Sequence, residues 1–191
     1  REFSCFPINE VQPKKKEIIC SRTFGAPVYE LSSLRESLAC YASLASEKLR
    51  KQKSVCAEVE IYIRTNPFKE TEQYARVESC ILSSATCDTR KIIRAAWELL
   101  DKIFVYGFEY KKAFIKLSRI QEANEHQIYL FGNHDTGNDL ILMHTMDEIN
   151  ARDGHETLKI AACGTNKEAW YMKQIMKSPR YVTEWNHLLK V

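Results

Sequence analysis

Three sets of side chains in this 191-residue sequence are of types that could do chemistry, and their spacing limits what that chemistry can be. The first set is acidic: Glu58 with Glu60, and Asp147 with Glu148. Metal-assisted or acid–base catalysis by acidic side chains needs carboxylates that converge on one point. Glu58 and Glu60 alternate along a strand-like run, and Asp147 and Glu148 are neighbours beside an apolar helical stripe, so both pairs read as surface charge. His126, His134, His144, His155 and His187 are scattered, and with Cys163 they reach no zinc spacing. There is no phosphate-cradling G-x-x-x-x-G-K-[ST] and no G-x-S-x-G nucleophile elbow. The expectation is a region with no catalysis, metal or cofactor of its own.

The second set is basic. Residues 1–119 carry 21 Lys+Arg against 15 Asp+Glu, whereas residues 120–191 carry 7 against 10, an asymmetry hidden in the net charge of +3. The basic part suits a polyanion, although ordinary protein surfaces also carry such a surplus. The third set is the run His126 to Asp135, in which Gln127, Ile128, Tyr129, Leu130 and Phe131 form a short apolar stretch led by an amide. Such a peptide can plug a partner's pocket, with the Leu-Phe pair filling it. By pattern alone an ordinary edge strand is the favoured reading. Seven cysteines without a regular framework read as reduced thiols, and no apolar run reaches transmembrane length.

Arg1 to Glu17, with Pro7, Pro13 and three consecutive lysines, reads as a linker. Ile18 to Phe24 is a short β-type run closed by Gly25 and Pro27. Ser33 and Glu36 have capping-box spacing, and Leu34, Leu38, Tyr41, Ala45 and Leu49 predict a helix ending near Lys53. From Val55 the period becomes two, with Val55, Ala57, Val59, Ile61 and Ile63 on one face. Thr65, Asn66 and Pro67 turn the chain into a third strand, Tyr74 to Leu82. Asp88 can cap a helix with the stripe Ile92, Ile93, Ala96, Leu100 and Ile103, ended by Gly107, and Tyr110 to Ser118 is a fourth strand.

The order β-α-β-β-α-β predicts an α+β fold: a split, ferredoxin-like four-stranded sheet with two helices on one face and the other face open. Arg22, Arg64 and Arg76, with either Lys112 and Lys116 or Lys111, would make that face basic, and Glu58, Glu60 and Glu78 would dilute it. Beyond residue 120, Asp139 to Asn150 predicts a helix with the stripe Leu142, Met143, Met146 and Ile149. Leu158 to Ala162 predicts a strand, and Lys167 to Lys177 a last helix, giving a small α/β C-terminal extension.

These elements carry several short motifs in a specific order: Ser21-Arg22-Thr23-Phe24-Gly25, Ala45 to Arg50, Ile63-Arg64-Thr65-Asn66-Pro67-Phe68, Asp88-Thr89-Arg90, Tyr110-Lys111-Lys112-Ala113, Met146-Asp147-Glu148-Ile149-Asn150 and Ser178-Pro179-Arg180-Tyr181. Together they resemble the C-terminal region of the UmuC-type (ImpB/MucB/SamB) Y-family translesion DNA polymerases, over essentially the whole chain. The resemblance implies a linker from a missing thumb domain over residues 1–17 and a DNA-binding little finger over 18–120. It further implies a tether with a clamp-binding motif over 121–137 and a C-terminal extension over 138–191. The parent would be an error-prone polymerase of the SOS response and DNA repair, bacterial and cytoplasmic, nucleoid-associated when on DNA, using Mg2+ and dNTPs at a palm that precedes Arg1.

Under that resemblance, Arg22, Arg64, Arg76, Lys111, Lys112 and Lys116 are DNA contacts, with Ser21 and Thr65 as neutral phosphate donors. Gln127, Ile128, Tyr129, Leu130 and Phe131 become the favoured docking site for the bacterial sliding clamp, since the family motif is Gln-x-x-Leu-Phe, and Ile128 and Tyr129 depart from its usual form. The processed UmuD dimer and the RecA filament are implied as partners with no residues assigned. The rivals are a free-standing RNA-binding module, with Tyr62, Tyr74 and Phe114 as stacking rings but no RNP1 run, and a protein-interaction adaptor.

Overall fold

Val59, Ile61 and Ile63 alternate with Glu58, Glu60, Tyr62 and Arg64, a pattern that an extended chain converts into one dry and one wet face. The computed structural model describes residues 13–123, 135–165, 170–172, 176, 178–181 and 184–188. In it this run lies within strand β2, Ser54–Thr65, with Val59, Ile61 and Ile63 fully buried. Each such side chain contributes about 1.5–3 kcal/mol when removed from water.

Strand β1 is Ile18–Val28, longer than the sequence run, and helix α1 is Leu31–Lys51. The helix starts two residues ahead of the predicted cap: Glu30 is the N-cap residue and makes no side-chain cap hydrogen bond, so Ser33 and Glu36 do not form a capping box. Strand β3 spans Ala75–Thr86 and helix α2 spans Thr89–Ile103. Asp88 caps α2 as expected, its carboxylate accepting the Arg90 N–H at 2.8 Å, but the helix stops at Ile103, short of Gly107. Strand β4, Tyr110–Glu122, completes an antiparallel sheet in the order β1-β4-β2-β3. The inner stripe of α1 (Leu34, Leu38, Ala45, Leu49) and that of α2 (Ile92, Ala96, Leu100) meet Ile61, Ile63, Ile115 and Leu117 in one buried cluster.

A bulge in β4 sets which residues face the helices. Arg64 pairs with Lys112, but the next residue, Thr65, pairs with Tyr110, leaving Lys111 as the extra residue. Tyr110 is thereby turned into the core, fully buried, with its hydroxyl donating to the Val105 carbonyl at 2.9 Å.

Helix α3, Gly137–Asp153, begins at a capping box in which Thr136 and Asp139 exchange hydrogen bonds. Of its predicted stripe, Met143 and Met146 are buried, whereas Leu142 is exposed. Ion pairs supply much of the attachment: Arg50, almost wholly buried, holds Asp147 through Nε at 2.6 Å and Nη2 at 2.7 Å. Leu158 to Ala162 does not form the predicted strand; Ala161–Cys163 is a single 3-10 turn. The helix read over 167–177 lies partly outside the described residues, and Trp170 to Met172 and Met176 are not helical. Trp170 packs edge-on against Tyr41 of α1, and the Gly25 N–H donates to the Tyr171 carbonyl at 3.1 Å, so the extension folds back over the helix side. Among the described residues no helix is long and apolar enough to cross a membrane.

Candidate nucleic-acid interface

Residues directly opposite one another in an antiparallel ladder share a face, so the strand register fixes the composition of the open side. Across β1, β4, β2 and β3 the first outer row is Thr23, Lys112, Arg64 and Ala75. The second is Ser21, Phe114, Tyr62 and Val77, and the third is Ile19, Lys116, Glu60 and Ser79. A fourth row holds Ser118, Glu58 and Ile81.

Charge is graded along these rows. In the fourth, the Glu58 carboxylate accepts from the Ser118 hydroxyl at 2.9 Å and from Arg119 at 3.2 Å. In the third, Lys116 pairs with Glu60 at 3.0 Å, and that hydrogen bond holds the lysine above its ordinary pKa. The second row is neutral, with the Tyr62 and Phe114 rings stacked at a centroid distance of 5.0 Å. The first row differs: Lys112 lies directly opposite Arg64, and neither has a carboxylate partner among the described residues. The Arg64 Nε is buried without an acceptor. Like charges placed opposite each other destabilise a sheet, and an anion bound between them would offset that cost. Thr23 beside Lys112, and Ser21 one row along, add hydroxyl donors of the kind that contact phosphates.

The remaining sequence-predicted residues lie elsewhere. Arg22 pairs with Ala113 and Arg76 with Ile63, which puts both on the helix side of the sheet, away from Arg64. Arg76 lies over the Tyr74 ring at 5.9 Å, and Arg22 donates to the Ser21 carbonyl at 2.9 Å. Glu78 pairs with Ile61 and so does not dilute the outer face. Lys111, in the bulge, donates to the Gly25 carbonyl at 3.4 Å. Thr65 is buried; its hydroxyl donates to Gln73 at 2.8 Å and accepts the Tyr74 N–H at 3.0 Å, which occupies it. Tyr74 packs on Phe108 and Tyr110 and donates to the Ile103 carbonyl at 2.6 Å, leaving Tyr62 and Phe114 as the outer-face aromatics of the three proposed. Gln127 to Phe131 lie outside the described residues. Sequence reasoning missed Thr23, whose alternation with Ser21 across the exposed Arg22 was the available signal. Among the described residues no group of three or more His, Cys, Asp or Glu side chains is arranged to hold a metal ion.

Residues 15–130 match the family model described as the impB/mucB/samB family C-terminal domain. This chain belongs to the impB/mucB/samB family. Residues 141–191 match a second model, described as Domain of unknown function (DUF4113). Among curated impB/mucB/samB relatives, protein UmuC of Salmonella typhimurium is 37% identical over 189 residues, covering 98% of this chain and 44% of the relative. Protein SamB of Salmonella typhimurium is 35% identical, covering 95% of this chain and 43% of its own length. Protein MucB of Escherichia coli is 33% identical, with 98% and 44% covered. The chain thus spans less than half the length of these relatives. Among solved structures, the complex of beta-clamp processivity factor and little finger domain of PolIV matches with a TM-score of 0.40 and 13% identity, covering 60% of this chain and 97% of that one. DinB from Sulfolobus solfataricus matches with a TM-score of 0.43 and 10% identity, covering 53% and 28%.

Proposed function

We propose that this chain is the DNA-gripping and clamp-docking region of an error-prone Y-family translesion polymerase that acts in SOS mutagenesis and DNA repair. Family membership supplies the context, and the observation that carries the DNA reading is the outer row in which Lys112 and Arg64 stand opposite each other without a carboxylate. A phosphate bridging the two cations, with the Thr23 and Ser21 hydroxyls alongside, makes sequence-independent contacts. A polymerase that must move along any template needs that kind of grip. Lys116 contributes less, because Glu60 already neutralises it.

In this proposal, nucleotidyl transfer with Mg2+ and dNTPs belongs to the whole polymerase and to carboxylates outside these residues. Gln127, Leu130 and Phe131 dock the sliding clamp, and the processed UmuD dimer and RecA filament are further partners of the whole protein. The DNA part is tested by titrating fluorescent primer-template duplexes of unrelated sequence over a range of salt. Comparable affinities that fall steeply with salt are expected. A preference of several kcal/mol for one sequence, or for single-stranded RNA, would reject it. The clamp part is tested with a peptide spanning Glu122 to Asp135 and its Leu130→Ala/Phe131→Ala variant; equal binding of the two, or none by either, would reject that part.

A further inference from the structure

The junction between α1 and the 3-10 turn Ala161–Cys163 holds a pair of thiols that the DNA reading does not use. The Cys40 thiol donates to the Cys163 carbonyl oxygen at 3.4 Å, which brings the two cysteines side by side. The Cys163 sulfur sits 3.3 Å from the Ser43 hydroxyl, one turn along α1. Gly164, at φ +67, follows immediately, and a Cβ there would run into the Glu36 carboxylate of α1, so this turn lies against the helix at a position that favours glycine. A cavity of about 50 Å³, lined by Cys40, Ser43, Met146, His155, Lys159 and Cys163, gives a small oxidant a place beside both sulfurs.

We propose that Cys40 and Cys163 are a redox-closable dithiol whose oxidation by hydrogen peroxide staples the C-terminal extension covalently to α1. The environments assign the roles. The neighbouring Cys40 thiol, aided by Ser43 and Lys159 against the cost of burial, holds the Cys163 thiol below its ordinary pKa. The adjacent Cys163 thiol and burial hold the Cys40 thiol up. Cys163 is therefore the attacking thiolate and Cys40 the resolving thiol.

In the first step a sulfur–oxygen bond forms at Cys163 as the peroxide O–O bond breaks; hydroxide leaves and, with the Cys163 proton, becomes water. In the second step Cys40 attacks the sulfenic sulfur, the S–S bond forms as the S–O bond breaks, and hydroxide takes the Cys40 proton as a second water. Two electrons pass from the dithiol to peroxide. Cys56 and Cys87 serve as the internal control: burial pushes their thiols up to about 12 and about 11, which disfavours attack.

The test treats the intact chain with hydrogen peroxide, blocks remaining thiols with iodoacetamide, and maps tryptic peptides without reduction. The expected product joins the peptide Glu36 to Lys48 to the peptide Ile160 to Lys167, two hydrogens lighter than their sum, and it disappears with dithiothreitol. In Cys40→Ser, Cys163 should accumulate as a sulfenic acid that dimedone traps. The oxidised wild-type chain should unfold at a higher urea concentration than the reduced one. Full alkylation of both cysteines after peroxide, a Cys56–Cys87 link in place of this one, or an unchanged unfolding midpoint in the linked chain would each overturn the proposal.

Discussion

The two faces of the sheet treat charge in opposite ways. On the helix side the cations that join elements are matched, Arg50 with Asp147 at 2.6 Å, Arg35 with Asp101 at 2.7 Å, and Arg90 with both Asp88 and Asp139, while Arg22 and Arg76 on the edge strands have no carboxylate partner among the described residues. Lys91 likewise meets Asp135 at 2.8 Å, and the Asp135 carboxylate also accepts from Thr86. On the outer face the match holds at one end, where Glu58 and Glu60 sit, and lapses at the other, where Lys112 faces Arg64. Arg50–Asp147, Arg90–Asp139 and Lys91–Asp135 tie the segment from Asp135 onward to α1 and α2, and the row of Lys112 and Arg64 is where the proposed DNA contact falls. Exposure alone would not separate the two uses, since the outer face also displays Ile19, Val77 and Ile81.

The largest effect that can sharpen this contrast is on the matched side. Asp147→Ala leaves the Arg50 guanidinium, whose side chain is 2% exposed, without its anion. Stability in urea should fall by about 3 kcal/mol, the lower end for a broken buried pair because Asp147 is partly solvated, while duplex affinity stays unchanged. Gly164→Ala puts a side chain on backbone at φ 67 and ψ 171, a region essentially reserved for glycine, and should cost about 1–3 kcal/mol in the same assay. Lys116→Ala removes a partly exposed pair at the sheet surface and should change stability by less than about 1 kcal/mol. It should leave the salt dependence of DNA binding nearly intact, whereas a drop as large as that from Arg64→Ala would erase the distinction between matched and unmatched rows.

The smallest expected effect is one of pH. Asp139 is held at about 2 by the Thr136 backbone N–H first, then by the Thr136 hydroxyl and Arg90. Its folded pKa lies below the ordinary value of 3.8, so its contribution to α3 is fully present above that value and is lost as pH falls toward about 2. The circular dichroism of Asp139→Asn should therefore lose the part of the acid transition that wild type shows between those limits.

Much of the fold was legible because period-two and period-three-to-four patterns are direct consequences of strand and helix geometry, as in Val59, Ile61 and Ile63 or in Leu34, Leu38 and Leu49. The site was legible less evenly. Arg64 and Lys112 could be named, yet the face of each β4 lysine depended on a bulge at Lys111, and no local pattern announces a residue left unpaired by its neighbour strand. Arg22 and Arg76 went to the wrong face for a related reason: both are exposed on edge strands, where a charged residue is tolerated on either side of the sheet. The strand expected at Leu158 to Ala162 does not form because its apolar residues pack against a helix rather than a sheet edge: Ile160 and Cys163 turn onto α1.

The measurement that bears most directly on the outer-face account is the salt slope of duplex binding for two double variants of the chain. Arg64→Ala/Lys112→Ala should reduce the slope of log affinity against log salt by nearly 2, about 0.9 for each lost phosphate contact. Arg22→Ala/Arg76→Ala, equal in charge removed, should leave it close to wild type. Equal slopes for the two variants, or the larger loss in the second, would contradict the assignment of DNA to the unmatched row.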